Sequence, residues 1–190
     1  MNICIISGSA RKNNNTIRVA YALEKLLKKE HTVSIVDFIE YDIPLLPQGD
    51  VVAHALTSFQ SKLMEGLHKA HIVFLISPEY NWSTTPEILN MLHRFGTNDF
   101  KYVFDESVFA LIGVSSGKGG KAPALHLSSI LTKIISFMDL ESIISPKIFE
   151  SHYTKEVLDE EGHSLGNKMY DAGLKDFTDY TLRVANRWFN

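Results

Sequence analysis

The sequence predicts an α/β fold, a three-layer sandwich in which a five-stranded parallel sheet carries helices on both faces. Three observations lead to it. Short apolar runs recur along the 190 residues and tend to stop at turn residues, as strands buried on both faces do. Between them lie stretches whose apolar residues recur every three or four positions, the spacing of a helix with one buried face. The two kinds of segment alternate along the chain, the order that parallel strands joined by crossover helices require.

The elements follow in turn. Asn2–Ser7 (NICIIS) is a first strand ending at Gly8. Residues 16–30 read as a helix through Val19, Leu23, Leu26 and Leu27, with Arg18, Glu24, Lys25, Lys28 and Lys29 mostly on the other side. Thr32–Asp37 is a second strand, followed by a turn-rich loop at 41–50 with Pro44, Pro47 and Gly49. Residues 53–70 read as a helix through Leu56, Phe59, Leu63 and Leu67, and residues 71–77 (HIVFLIS) as a third strand. Pro86–Phe95 is a helix with Thr85 as N-cap and Pro86 at its first position. Val108–Val114 is a fourth strand, residues 122–138 a helix, and residues 141–149 a fifth strand weakened by Pro146. After a turn at Asp159-Glu160-Glu161-Gly162, residues 169–189 form a closing helix, so that 1–190 reads as one domain with a tail from 150. Five such units point to the strand order 2-1-3-4-5.

Composition narrows the function. Apolar residues make up 45% of the chain, ample for a core and too much for a disordered one. Nineteen basic against 22 acidic residues give a net charge of −3, which argues against a nucleic-acid partner. A single cysteine, Cys4, excludes an internal disulfide and a Cys-rich zinc site, and it reads as an inert core thiol. The eight histidines are scattered; His68 and His71 straddle a helix-to-strand junction, so no metal site is expected. No apolar run approaches the roughly 20 residues of a membrane span, and the start lacks the basic and apolar regions of a signal peptide. The expected location is therefore cytoplasmic, with no membrane partner.

In a doubly wound sheet, ligands bind beyond the carboxyl ends of the strands, where the order reverses. Three loops lie there. The first, Gly8-Ser9-Ala10-Arg11-Lys12-Asn13-Asn14-Asn15-Thr16, offers hydroxyls, amides and a guanidinium before a helix N-terminus, a natural anion site. It is not a dinucleotide fingerprint, because it holds only Gly8. The second, at 77–86, brings Glu79, Tyr80, Asn81 and Trp82 to a strand end, where a planar heterocycle can lie. The third, at 115–121, has three glycines that admit a ligand close to backbone N–H groups. It only imitates a nucleotide-triphosphate loop: Gly113 is one residue too close, and Gly119 stands where a Mg²⁺-binding hydroxyl is needed. Asp37 ends the second strand and reads as a strand-end cap.

Together these loops resemble the NAD(P)H-dependent FMN reductase family, which includes azobenzene, quinone and chromate reductases. The family's first loop, Gly-Ser-x-Arg-x-x-Ser-x-Asn, aligns with Gly8, Ser9 and Arg11, with Asn14 at the serine position and Thr16 at the asparagine position. Its Pro-Glu-Tyr-Asn-x-Ser is matched by Pro78, Glu79, Tyr80, Asn81 and Ser83. Its Ser-x-Gly-x-x-Gly is similar to Ser115–Gly120, and the resemblance spans roughly residues 1–150. It implies a flavodoxin-like fold and bound FMN. Ser9, Arg11, Asn14, Thr16 and Ile17 would hold the phosphate, Ile17 through its backbone. Pro78, Glu79, Tyr80 and Asn81 would line the isoalloxazine, and Ser115, Ser116 and Gly117 would close its other edge. NADPH or NADH would pass hydride to the flavin, which would hand two electrons to a small-molecule acceptor, with no catalytic side chain required. Trp82, large where a smaller residue is expected, would wall the acceptor pocket. A homodimer or homotetramer with flavin near the subunit interface is also implied. The alternative is a flavodoxin-like electron carrier without its own nicotinamide activity, and a third reading is a flavin-free scaffold.

Overall fold

The structure, a computed structural model, describes residues 1–46 and 48–190; Pro47, one of the expected turn residues, lies outside the described residues. The elements are β1 (Asn2–Ser7), α1 (Asn15–Leu27), β2 (Thr32–Asp37), α2 (Ser58–His68), β3 (Ile72–Pro78), α3 (Pro86–Phe95), β4 (Val108–Val114), α4 (Lys121–Met138), β5 (Ile143–Ile144), β6 (Phe149–Ser151), α5 (Thr154–Val157) and α6 (Lys168–Phe189). The sheet is parallel, in the order β2-β1-β3-β4-β5, with β6 also paired to β4.

Apolar alternation along each strand sorts the helices onto two faces. In β1, Cys4 and Ile6 join the cluster built from Leu63 and Leu67 of α2, Met91 and Phe95 of α3, and Leu127 and Leu131 of α4. Ile3 and Ile5 point the other way, into Val19 and Leu23 of α1, Val157 of α5, and Leu174 and Phe177 of α6. The core thus lies in two slabs either side of a sheet whose central strands β3 and β4 are buried throughout.

Local chemistry sets the boundaries. α2 begins at Ser58 and not at residue 53, because Thr57 and Gln60 form a reciprocal capping box. Thr85 caps α3 as expected, its hydroxyl accepting from Ile88 N. The fifth strand is the main correction. Residues 141–149 do not run as one strand: β5 pairs Ile144 with Phe109, β6 pairs Phe149 with Ile112, and the chain between them bows away around Pro146. Proline has no N–H for the ladder, so pairing stops there and resumes beyond it. The β6 pairing also extends strand order to Ser151, past the expected end at 149.

The ladder brings the ends of β1, β2, β3, β4 and β6 to one edge, while β5 stops beside Phe109 near the start of β4. Ser7 stands level with Asp37 and Ile76, Pro78 with Val114, and Val114 with Ser151. At that edge Gly113 and Gly120 meet backbone to backbone: a Cβ on Gly113 would lie 1.7 Å from the Gly120 carbonyl oxygen. Gly117, four residues along, has open space around it. Gly113→Ala is expected to cost about 1–3 kcal/mol by overpacking, and Gly117→Ala less than about 0.5 kcal/mol. Thermal denaturation of the two variants beside the parent checks the contrast.

Candidate functional site

The first loop is organised by one side chain, Asn14. Its Oδ1 accepts from Ile17 N at 2.8 Å and from the Thr16 hydroxyl at 2.6 Å, capping α1. Its Nδ2 donates to the carbonyls of Arg11 and Ser9, at 2.9 and 3.3 Å. Thr16 is fully buried, and its hydroxyl also lies 2.9 Å from that of Ser7. Thr16 and the Ile17 amide are therefore bonded within the loop, and neither lines the cavity described below. Gly8 lets the loop start under α3, since a Cβ there would come within 2.3 Å of Ile88.

The second loop packs onto the first. Ser9 Oγ lies 3.2 Å from Tyr80 Oη, and the Arg11 guanidinium sits 4.0 Å above the Tyr80 ring, an attraction worth about 0.5–1 kcal/mol at an exposed site. Tyr80 and Ser83 exchange backbone hydrogen bonds across a two-residue turn, with Asn81 and Trp82 both at positive φ, 47° and 62°. Asparagine is common in such turns and glycine usually takes the second place. A tryptophan there costs about 1–2 kcal/mol, yet its indole is 78% exposed and recovers little of that by packing in this chain.

The third loop is stitched to both neighbours. The Glu79 carboxylate accepts from Gly120 N, and Gly119 has no room for a Cβ beside it. Gly120, at φ 100°, is left-handed, as a glycine permits. Gly119 N donates to His152 Nδ1 at 3.0 Å, Tyr153 N to the Gly117 carbonyl at 3.1 Å, and Ser115 N to the Ser151 carbonyl at 2.9 Å.

Between the loops opens a cavity of about 300 Å³. Ser9, Arg11 and Asn14 line it from the first loop, Pro78, Glu79 and Tyr80 from the second, and Ser116 from the third. Asn81, Trp82, Ser115 and Gly117 stand in the same loops but outside its wall. The sequence reading missed Lys12 and Asn15, which lie inside the first loop, and Lys155, which follows β6 and carries no motif.

The charges on the wall are unbalanced. Arg11, Lys12 and Lys155 face one carboxylate, Glu79, and none of the three cations enters an ion pair among the described residues. A surplus of positive charge in a chain of net charge −3 favours an anionic ligand. Asn15 Oδ1 is buried without a hydrogen-bond partner, an acceptor suited to a ligand hydroxyl. Beside this cavity, Asp37 caps the short turn at Ile39, and burial raises its carboxyl above the usual value. Cys4 lies in the core with its thiol pushed up to about 12 by burial, so it is inert. Among the described residues, no group of three or more histidine, cysteine or acidic side chains is placed to hold a metal ion, and no helix is long and apolar enough to cross a membrane.

The fold has solved counterparts. FerB, a flavoenzyme NAD(P)H:(acceptor) oxidoreductase from Paracoccus denitrificans, superposes with a TM-score of 0.71 at 19% identity, covering 95% of this chain and 97% of its own. An FMN-dependent NADH-azoreductase from Bacillus anthracis, in complex with FMN, gives 0.58 at 13% identity over 96% and 99% of the two chains. A flavodoxin from the domain Archaea gives 0.54 at 11% identity over the whole of both. The family model of NADPH-dependent FMN reductase matches residues 1–148, and the chain belongs to that family.

Proposed function

We propose that the cavity holds FMN, that NADPH or NADH reduces it, and that two electrons then pass to a small acceptor such as a quinone, an azo compound or a second flavin. The observation that carries the assignment is the unpaired cationic wall beside the N-terminus of α1, which suits a phosphate dianion. The orphaned Asn15 acceptor suits a ribityl hydroxyl. Bound FMN supplies both the hydride acceptance and the two-electron donation.

The residues divide the remaining work. Ser9 and Arg11 contact the phosphate, while Asn14 sets the loop's curvature and carries Thr16 and Ile17 with it. Tyr80, held by Ser9 and stacked under Arg11, links the phosphate end to the ring end. Pro78 and Glu79 flank the isoalloxazine and Ser116 closes its far edge, with Asn81, Ser115 and Gly117 bordering the ring where it extends beyond the cavity wall. Glu79 fixes the width of the slot by tying the second loop to Gly120.

Trp82 extends the site outward: its indole is exposed, and its neighbour Ser83 reaches His126 of α4. Association of two or more copies through this surface covers the indole and encloses the acceptor pocket between subunits.

Purified protein is expected to be yellow or to turn yellow with FMN, and to bleach on addition of NADPH or NADH. Retention of colour with both nicotinamides indicates an electron carrier, and failure to bind FMN overturns the flavin assignment. Arg11→Ala is expected to weaken FMN binding about ten- to a hundredfold, the loss of a charge-assisted hydrogen bond. Trp82→Ala is expected to raise the acceptor KM about three- to tenfold, an aromatic contact's worth, with FMN affinity unchanged. An unchanged KM removes Trp82 from the acceptor pocket.

A further inference from the structure

Lys155 lies beyond residues 1–148 and outside every motif of the three loops, yet it lines the cavity with Arg11 and Ser116. Its backbone is held from two sides. On one side, Tyr153 adopts a left-handed conformation (φ 45°) and donates its N–H to the Gly117 carbonyl. The next residue, Thr154, is fully buried, with its hydroxyl 2.8 Å from that of Ser151. On the other side, the Arg18 guanidinium of α1 donates to the Leu158 carbonyl at 3.1 Å and pairs with Glu160. A bulky residue at positive φ is unfavourable and persists only where its surroundings impose it. Here it turns the chain out of β6 and into α5, which packs beside α1 with Lys155 on the cavity.

We propose that Lys155 is a specificity residue: the cation by which the region after β6 makes this pocket prefer a phosphorylated flavin to its dephosphorylated form. The proposal rests on the FMN assignment above. Arg11 is partly committed to the Tyr80 ring, and Lys12 belongs to the same exposed loop. Lys155 reaches the cavity from a separate element, so a phosphate there meets positive charge from more than one direction. Ion pairing of this kind acts on the phosphate and not on the isoalloxazine, which both ligands share.

The test measures dissociation constants for FMN and for riboflavin by quenching of flavin fluorescence, with parent protein, Lys155→Met and Lys155→Arg. The expected result is FMN affinity weakened about tenfold in Lys155→Met, riboflavin affinity unchanged, and FMN affinity largely retained in Lys155→Arg. The proposal is overturned if Lys155→Met shifts FMN binding less than twofold, or if it shifts FMN and riboflavin equally. Equal weakening in Lys155→Arg and Lys155→Met overturns it as well. Parent protein that binds neither flavin instead overturns the FMN assignment itself, so the two failures are distinguishable. Circular dichroism of each variant reads the fold independently; Lys155 is exposed, and no folding defect is expected.

Discussion

The register of the parallel ladder is the constraint on which everything else rests. A one-residue slip in any strand would turn its apolar residues to the wrong slab and withdraw its loop from the common edge. Because Pro78, Val114 and Ser151 finish level and Ser7 ends beside Ile76, two residues before Pro78, four chain segments leave the sheet side by side. The reversal of direction at β1 sends α1 to one face and α2 to the other, opening the crevice between β1 and β3. The cavity is a consequence of that geometry before any of its side chains is considered.

The side chains then make the edge rigid with few groups. Asn14 bonds four partners in its own loop, Glu79 ties the second loop to the third, and residues 151–153 tie the third to the chain after β6. Much of the polar capacity at this edge is therefore spent on holding loops, while Arg11, Lys12 and Lys155 enter no ion pair among the described residues. The enzyme belongs to a family that works through a flavin, and the pattern suits that role: a cradle of tied loops with a surplus of positive charge on its wall. Trp82 is the exception to this economy, an aromatic at a strained turn position turned out into solvent.

Much of this was legible in the residues. β1, β2, β4 and α3 begin and end where periodicity and caps placed them, because each is bounded by a strong local signal such as Gly8, Asp37, Thr85 or Pro86. The start of α2 was also readable in principle, since Thr57 and Gln60 form a capping box three residues apart; apolar Leu56 drew the helix too far forward. The first, second and third loops were found by composition and position together. Lys155 was not, because a lone lysine in a polar stretch has no signature until the tertiary structure shows what it faces.

The amino-acid sequence by itself determined the alternation of elements, the strand order that follows from it, and the loops at the carboxyl edge. These depend on interactions between residues close in the chain and on the twist common to all L-polypeptides. Only the tertiary structure decided that the Thr16 hydroxyl turns inward to Ser7, that pairing with β4 stops before Pro146 and resumes at Phe149, and that the Arg11 guanidinium lies over the Tyr80 ring. It also decided that Lys155 shares a cavity with a loop about 140 residues earlier. Such outcomes are set by competition among partners distant in sequence for the same few hydrogen bonds and the same small space, and local pattern does not encode who wins.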